Sequence, residues 1–277
     1  MNRKIYPFLV VKPTKPARFA LHLNSDQAFT LTELIVVVAV LAVLGGLLLP
    51  ALAATHDRDS RAICQYNLRQ IAVAATQYAG ENDDYVLPAG DNIYAMQFDP
   101  EQLSQTVANK VGLTTNGASI WTCPNRPSLP YQNGLQWVIG YQYYGGITNW
   151  INNIASSGHA SDSPVKLSQS KPYWMLAADV VAQLGGLGTG WGPFGDLSDL
   201  PAHHTADSMI PQGGNEVFCD GSVQWIDLEK MYFLHSWAGI DRPLFFYQDL
   251  SGDAYWQPRI ALAGIRAQPI PTEARFN

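Results

Sequence analysis

The longest apolar stretch of the chain begins near residue 30 and separates a basic tail from a body of mixed composition. From Leu34 to Leu49 no side chain is charged or polar, and the apolar run continues through Pro50 to Ala54. A helix needs about 20 apolar residues to cross the hydrocarbon core of a bilayer. The pattern therefore predicts a membrane-spanning helix over residues 29–54, with one carboxylate, Glu33, at its edge.

A helical pattern continues beyond this apolar stretch. Residues that recur at steps of three and four predict one buried face, formed by Ile63, Asn67, Ile71, Ala74 and Tyr78. Gly80 and the polar run after it end the pattern, so a nearly continuous helix is predicted from about Phe29 to Ala79. Pro50 has no N–H to donate to the carbonyl of Gly46, which predicts a kink or local melting there.

The rest of the chain predicts short strands, loops and one short helix. A helix is predicted near Pro100 to Val111, with Leu103 and Val107 on one face. Aromatic and β-branched residues predict strands from Trp137 to Tyr144 and from Tyr173 to Ala178. We therefore expect a small antiparallel sheet.

A β-hairpin is predicted from Glu216 to Ile226. Asp220-Gly221 is a two-residue sequence that favours a type I′ turn. That turn would pair Phe218 with Val223 and Glu216 with Trp225. Phe218, Val223 and Trp225 would then form one apolar face, which we expect to lie on the long helix.

After the hairpin, Asp227 is predicted to cap a short helix that carries Met231, Leu234 and Trp237. The predicted fold is α+β, with a long N-terminal membrane-spanning helix packed on a small antiparallel β-sheet ectodomain. The predicted segments are a basic leader at 1–28, the long helix at 29–80 (transmembrane at 29–54, outer half at 55–80), a loop-rich ectodomain at 81–265 and a tail at 266–277.

The charge of the chain is concentrated in the leader. The formal net charge is −6, and residues 1–28 hold five basic residues and one acid, so the remainder carries −10. An acidic body does not suit a general nucleic-acid binder, whose affinity comes mostly from neutralising phosphates. Basic residues before the apolar stretch and few after it predict a cytoplasmic N-terminus and a body on the periplasmic or extracellular side.

Cysteine is used sparingly. Cys64, Cys123 and Cys219 would lie in an oxidising compartment, where one disulfide can form and one thiol remains. The sequence leaves all three pairings open. Cys64–Cys123 is favoured because Cys219 lies on the predicted hairpin.

One set of residues has the composition of a metal or catalytic site: His203, His204, Asp207, Asp179, Asp196, Asp199 and Asp220. Adjacent histidines do not share a helix face or a strand face, and no His-x-x-x-His or four-cysteine pattern occurs. Acid-rich loops could hold Ca²⁺, which takes six to eight oxygen ligands. No nucleophile–base set is found. We therefore predict no catalytic residue, no enzyme activity and no metal site, with Ca²⁺ as the one alternative.

The apolar stretch has two ordinary interpretations. As a signal peptide it would be cleaved after Ala53, releasing a secreted domain that binds glycans or a metal through its Trp- and Tyr-rich loops. As a plain single-span anchor it would stay uncleaved. Neither interpretation explains why Glu33 lies at the edge of the apolar helix.

A third interpretation comes from the residues at the start of this stretch. Ala28 and Phe29 are followed by Thr30-Leu31-Thr32-Glu33-Leu34, and Pro50 follows within the helix. The segment resembles type IV prepilins and type II secretion pseudopilins, in which a small residue, usually glycine, precedes the Phe and the fifth residue from that Phe is glutamate. Ala28 stands where that glycine is usual.

The resemblance implies a non-enzymatic structural subunit of a type IV pilus-like or type II secretion-type filament. Prepilin peptidase would cleave between Ala28 and Phe29 and methylate the new amine of Phe29. Glu33 would pair with the N-terminal ammonium of a neighbouring subunit, and Pro50 matches a proline frequent in the family. The implied partners are the peptidase, other subunits and the bacterial inner membrane, which the chain would cross once.

Further motifs resemble one subgroup, the prepilin-type proteins of planctomycete- and verrucomicrobium-like bacteria. They are Cys64-x-x-Asn67-Leu68-x-Gln70-Ile71, Tyr78 with Asn82-Asp83, Trp121-Thr122-Cys123-Pro124, and a late run with Asn215, Phe218, Asp220, Gly221, Val223 and Trp225. The sequence does not indicate which machine such a subunit would serve.

Overall fold

The structure is a computed structural model that describes residues 30–91, 94–99, 103–115, 119–132, 134, 136–151, 159–183, 191, 203–205, 208–236 and 243–249. For residues 47–56, 159, 204–205, 208–209, 243 and 245 only the backbone is described. The chain divides into two compact units, Met1–Ala51 and Leu52–Asn277.

The long helix predicted from the sequence is present. Helix α1 spans Leu31–Glu81, close to the predicted limits of Phe29 and Ala79. Its helical assignment continues through Pro50, so the predicted local melting is not observed. At its C-terminal end the Asn82 side-chain amide donates to the carbonyl of Tyr78 at 2.7 Å, which satisfies one of the last free carbonyls of the helix.

The second unit buries one face of α1. The buried apolar positions of this face are Cys64, Leu68, Ile71, Ala72, Ala74, Ala75 and Ala79. Asn67, Ile71 and Ala74 are buried, as the sequence predicted. Ile63 was also predicted to lie on the buried face, but its side chain is 48% exposed, so the prediction is wrong for this residue. The three- and four-residue spacing fits a face through Cys64 as well as one through Ile63, and only the contacts with the sheet distinguish them.

The other elements are short. They are β1 Gln97–Phe98, α2 Gln105–Lys110, β2 Tyr131–Gln132, β3 Trp137–Val138, β4 Tyr141–Tyr143, β5 Asn149–Trp150, β6 His159–Ala160, the 3-10 turn Leu167–Gln169, β7 Met175–Asp179, β8 His204–Thr205, β9 Ser208–Pro211, β10 Gly213–Phe218, β11 Val223–Asp227, the 3-10 turn Leu228–Lys230, β12 Tyr232–Ser236 and β13 Pro243–Phe246. The predicted α+β class is confirmed.

An antiparallel four-stranded sheet, ordered β11-β10-β7-β4, forms the centre of the second unit. The predicted strand Trp137–Tyr144 is divided at Ile139-Gly140 into β3 and β4, because these two N–H groups donate to the carbonyls of Met96 and Trp121 instead of to a strand. Strand β3 belongs to a separate three-stranded sheet with β1 and β2. Trp121 packs edge-on against both Phe98 and Tyr143, and the rings of Phe98 and Tyr143 are tilted against each other, with ring centroids 5.1–5.5 Å apart.

The hairpin predicted at Asp220-Gly221 is present, but its register is shifted by one residue. Val217 pairs with Val223, and Asn215 pairs with Trp225. The loop has three residues: the N–H of Gly221 donates to the carbonyl of Phe218, and Gly221 has φ +80°. This is a type I turn followed by a left-handed glycine, not the predicted type I′ turn.

The shift decides which residues of the hairpin contact the helix. Side chains directly opposite each other on antiparallel strands lie on the same face. Trp225 therefore shares a face with Asn215 and Val217. Val223 pairs with Val217 and not with Phe218, so the predicted pairing of Phe218 on this face is wrong. The face does contact α1 as predicted, since the Asn215 side chain donates to the carbonyl of Arg61 at 3.2 Å.

The short helix predicted after Asp227 is wrong. A single 3-10 turn, Leu228–Lys230, is followed by strand β12, which pairs with β13. The Asp227 carboxylate accepts hydrogen bonds from the indole of Trp225 at 3.1 Å and from Lys230 at 3.2 Å and does not cap the turn. Met231 and Leu234 are buried, and Trp237 lies outside the described residues. Tyr232 and Phe233 favour a strand, and a pairing partner was not visible in the local pattern.

Strand β10 carries a fully buried acid, Glu216. Its Oε1 accepts the N–H of Tyr247 at 2.7 Å, and Oε2 has no hydrogen-bond partner among the described residues. Burial raises the pKa of Glu216 well above its usual range, and the negative charge of Asp179 raises it further. The hydrogen bond from Tyr247 lowers this pKa but does not offset the other two effects. The carboxyl group therefore keeps its proton in the folded chain at pH values where an exposed glutamate loses it.

We expect the free energy of unfolding to fall less steeply with rising pH in the Glu216→Gln variant than in the unaltered chain. The folded-state pKa lies above the unfolded value of about 4.3, so the unfolded chain releases a proton that the folded chain retains. Stability should then fall as the pH rises above that value, with a slope of up to about 1.4 kcal/mol per pH unit. Denaturant unfolding of both chains between pH 4 and pH 8 measures this difference. Parallel pH profiles would contradict the assignment.

Candidate functional site

The predicted site residues lie in two parts of the chain. The cleavage position, Ala28 and Phe29, lies outside the described residues, and for Pro50 only the helical backbone is described. Glu33 lies in the first turn of α1. Cys64 and Cys123 lie in the second unit, as do His203 and Asp179.

Glu33 and Thr30 form a capping box at the start of α1. The Thr30 N–H and hydroxyl both donate to Oε2 of Glu33 at 2.8 Å, and the Glu33 N–H donates back to the Thr30 hydroxyl at 3.2 Å. This reciprocal arrangement satisfies backbone donors that the first turn of a helix leaves free. This role was not predicted, although Thr-x-x-Glu is the sequence signature of a capping box.

The side chains that follow Glu33 are apolar and exposed. Between Leu31 and Leu44 the exposed large side chains are Leu31, Leu34, Ile35, Val36, Val37, Val38, Val40, Leu41, Val43 and Leu44. Each is 48–73% exposed. Contiguous apolar surface of this kind marks a site of contact with another protein or with a membrane.

Among the residues that the structure describes, no helix is both long enough and apolar enough to cross a membrane.

The structure brings Cys64 of α1 next to Cys123. Their Sγ atoms lie 3.3 Å apart, and both residues are fully buried. The contact with Cys123, burial and the nearby Asp179 together raise the pKa of the Cys64 thiol. Cys219 lies at the hairpin, where burial and the charge of Asp220 raise its pKa to about 12. Neither Cys64 nor Cys219 therefore has the lowered pKa of a nucleophilic thiol.

A polar centre surrounds Asp179, at the end of β7. Its Oδ2 is bound by the His203 Nε2 at 2.8 Å and by the backbone and side-chain N–H groups of Asn215 at 2.8 and 2.9 Å. Asp179 is 0% exposed and His203 is 2% exposed. Buried charges are stable only when they are paired in this way.

His203 lies between two carboxylates. Its Nε2 contacts Asp179, and its Nδ1 lies 3.0 Å from the Asn125 amide nitrogen and 3.6 Å from Asp57 Oδ1. Burial and the positive charge of Arg61 both lower the pKa of His203. The two carboxylates raise it by more, so the net effect is a raised pKa. The ring also packs edge-on against Trp225, with centroids 5.3 Å apart.

Arg61 joins the helix to the sheet beside this centre. Its guanidinium binds Asp57 at 2.8 Å, lies 3.8 Å above the Trp225 ring and contacts the side chain of Gln212. Nearly two turns further along the helix, the Asn67 amide donates to the carbonyl of Thr122 at 3.0 Å. Several separate segments are thus held against α1.

The structure brings together only part of the predicted His–Asp set. His203 and Asp179 are in contact, whereas Asp220 accepts the Ser222 N–H at 2.8 Å in its own turn. Asp196, Asp199 and Asp207 lie outside the described residues, and for His204 only the backbone is described. Asp57, Asn125 and Cys64 were not predicted as neighbours of His203, because none of them is close to it in the sequence.

Comparison with known proteins identifies one segment. The family model for the prokaryotic N-terminal methylation motif matches residues 23–49. No curated protein and no solved structure matches the chain. The chain therefore carries a prepilin-type N-terminal motif, of the kind found in type IV pilin and pseudopilin precursors, which is consistent with an exported or membrane-anchored protein.

We predict that Cys64 and Cys123 form a disulfide when the chain is exposed to an oxidising compartment. Their adjacency in the folded chain favours this pairing over both pairings with Cys219. Closing a loop of this length would stabilise the body by about 4 kcal/mol. Non-reducing peptide mapping after thiol alkylation should find Cys219 alkylated and the other two linked.

The control is Cys219→Ser, which should leave both the disulfide and the thermal stability unchanged. Alkylation of Cys64 and Cys123 in protein isolated from an oxidising compartment would contradict the pairing.

Proposed function

We propose that the chain is a structural subunit, a pilin or pseudopilin, of a type IV pilus-like or type II secretion-type filament. The observation that carries the proposal is the overlap of the methylation motif, residues 23–49, with a helix whose apolar side chains are exposed. Burying each such side chain is worth about 1.5–3 kcal/mol. Lipid before assembly and neighbouring helices after it would both cover this surface.

Glu33 supports this proposal through the charge it carries at the start of the helix. Cleavage between Ala28 and Phe29 would create an ammonium group four residues before it. Both bonds from Thr30 end on Oε2 of Glu33, so among the described residues these bonds leave Oε1 available to a donor from another subunit. Pairing with that ammonium would neutralise both charges in surroundings where either one alone is costly.

The location follows from the same features. The apolar run from Leu34 to Ala54 has the length of a bilayer span, and the basic residues before it favour a cytoplasmic leader. We therefore place the precursor in the bacterial inner membrane as a single-pass protein with its body outside. Prepilin peptidase would process it and methylate Phe29, and the helix region around Pro50 would pack among neighbouring subunits.

The motifs of the planctomycete- and verrucomicrobium-type subgroup support membership of that subgroup. Cys64 and Cys123 are in contact, Asn67 binds the carbonyl beside Cys123, and Asn215 binds both Asp179 and α1. Residues that are far apart in the sequence motifs thus meet around one buried centre. Their role in this proposal is to fold the body and hold it to the outer half of the helix.

The alternative is a secreted glycan- or metal-binding domain released by a cut after Ala53. That cut would fall inside helix α1, which extends to Glu81. The two proposals require different mature N-termini.

We expect the mature chain to begin with N-methylphenylalanine at position 29. Intact mass and N-terminal sequencing of protein from the membrane fraction measure this directly. A chain that begins at residue 54 and is found in soluble material would support the secreted domain. A chain that keeps residues 1–28 would contradict the filament proposal.

Three substitutions separate the charge of Glu33 from its capping role. Glu33→Gln keeps a residue that completes the capping box but removes the charge. Thr30→Ala removes the cap, at a cost of about 1 kcal/mol, and keeps the charge. Glu33→Leu removes both.

We expect all three to be processed, and only the two Glu33 variants to be lost from sheared filaments by tenfold or more. Immunoblots of the sheared and membrane fractions measure incorporation. Normal incorporation of Glu33→Gln together with loss of Thr30→Ala would assign Glu33 to capping alone and contradict the ion pair.

A further inference from the structure

Three side chains that commonly bind metals meet inside the second unit. A thiol sulfur of Cys64, a carboxylate oxygen of Asp179 and a ring nitrogen of His203 all lie within 4.8 Å of one another. All three residues are buried, at 0%, 0% and 2% exposure. They come from α1, from the end of β7 and from the segment before β8, so only the folded chain assembles them.

Asp179 has an oxygen that its protein neighbours do not use. Oδ2 accepts hydrogen bonds from His203 and twice from Asn215, while Oδ1 is buried and has no hydrogen-bond partner among the described residues. A buried carboxylate oxygen without a donor is costly. A cation bound at Oδ1 would satisfy it and leave the two bonds from Asn215 in place.

His203 is oriented as a metal-binding histidine usually is. Metal-bound imidazoles commonly present their second nitrogen to a carboxylate, which fixes the ring. Here Nδ1 faces Asp57 Oδ1 at 3.6 Å, which leaves Nε2 on the side of Asp179. The backbone of His203 has φ +56°, an uncommon conformation for a residue other than glycine.

We propose that the reduced chain binds one zinc-class divalent ion through Cys64 Sγ, His203 Nε2 and Asp179 Oδ1. Cys123 Sγ lies 3.3 Å from Cys64 Sγ, next to these three ligands but outside the group of atoms that lie within 4.8 Å of one another. Zinc takes sulfur, nitrogen and oxygen ligands in a tetrahedron at about 2.0–2.3 Å, which is compatible with ligand atoms this close together. The set does not suit Ca²⁺, which requires oxygen ligands.

Binding would exchange protons for the ion. The Cys64 thiol and Nε2 of His203 give up their protons to solvent as the metal binds. One thiolate and one carboxylate would then ligate a doubly charged ion, so the two ligand charges balance the charge of the ion, and Nδ1 of His203 would carry the ring proton towards Asp57.

The ion and the predicted disulfide exclude each other. Oxidation of Cys64 and Cys123 by a disulfide reagent or by diamide removes two electrons and two protons from the thiols and reduces the oxidant. The linked sulfurs are no longer thiolates, so the site loses its sulfur ligand. Cys64 would therefore bind the metal when reduced and form the disulfide with Cys123 when oxidised. This inference does not depend on the filament proposal.

The test uses the full chain in detergent, reduced and freed of metal with a chelator. Titration with Co²⁺ should saturate at one ion per chain and give thiolate-to-cobalt absorption with the visible spectrum of a tetrahedral site. Zn²⁺ should displace it. Prior oxidation with diamide should abolish the signal.

The variants Cys64→Ser and His203→Gln should weaken Zn²⁺ binding by at least 100-fold, measured by competition with a chromophoric chelator. Cys219→Ser is the matched control, a cysteine outside the cluster, and should bind as the unaltered chain does. Asp57→Asn, a change at a partly exposed residue, should weaken binding by about tenfold without disturbing the fold.

Circular dichroism of the metal-free variants shows whether each one is folded. No thiolate–cobalt band in the reduced chain would overturn the proposal. So would a band that survives Cys64→Ser, one that is lost in Cys219→Ser, or binding that Asp57→Asn leaves unchanged.

Discussion

The second unit depends on a buried carboxylate, Asp179, to which separate parts of the chain are bound. His203 and Asn215 bind its Oδ2, and Asn215 extends the network to the carbonyl of Arg61 on the helix. Removing one partner of a buried ion pair costs about 3–5 kcal/mol, because the other charge is left without compensation. The sheet, the His203 segment and the outer half of α1 are therefore held together by polar contacts of defined geometry as well as by apolar packing.

The same helix meets two different physical requirements along its length. From Cys64 to Ala79 it buries one face, and several of the buried residues are alanines, which allow the helix to approach the rest of the body closely. From Leu31 to Leu44 its apolar side chains are exposed. The first part is complete within one chain, whereas the second requires lipid or other helices to cover it. The proposed filament subunit, which would fold its body alone and assemble through the first turns of its helix, needs this division.

Two residues of the chain each have a second role available. Glu33 caps its own helix through Thr30, and in the proposed filament its second oxygen would meet the ammonium of another subunit. Cys64 lies against Cys123 and also beside His203 and Asp179, so its sulfur can be oxidised or can bind a metal. In both cases a local contact holds the side chain in place, and the state of the molecule, processed or oxidised, decides which further partner it meets.

The sequence by itself determined the features that depend on neighbouring residues. The apolar run, the limits of the long helix, the α+β class and the presence of a turn at Asp220-Gly221 all follow from local patterns. It did not determine the register of the hairpin, because a two-residue and a three-residue loop can use the same Asp-Gly pair and differ by one position. Strand β12 was predicted as a helix, because the strand with which it pairs, β13, was not visible in the local pattern.

Tertiary structure alone decided the composition of the buried centre. In the sequence, His203 and Asp179 are separated by a stretch that includes Gly185–Gly195, and Cys64 precedes Asp179 by more than 100 residues. Their proximity results from the packing of the helix on the sheet, and no spacing within the sequence encodes it. Local periodicity specifies elements, but a site made of residues from three elements exists only after those elements have packed.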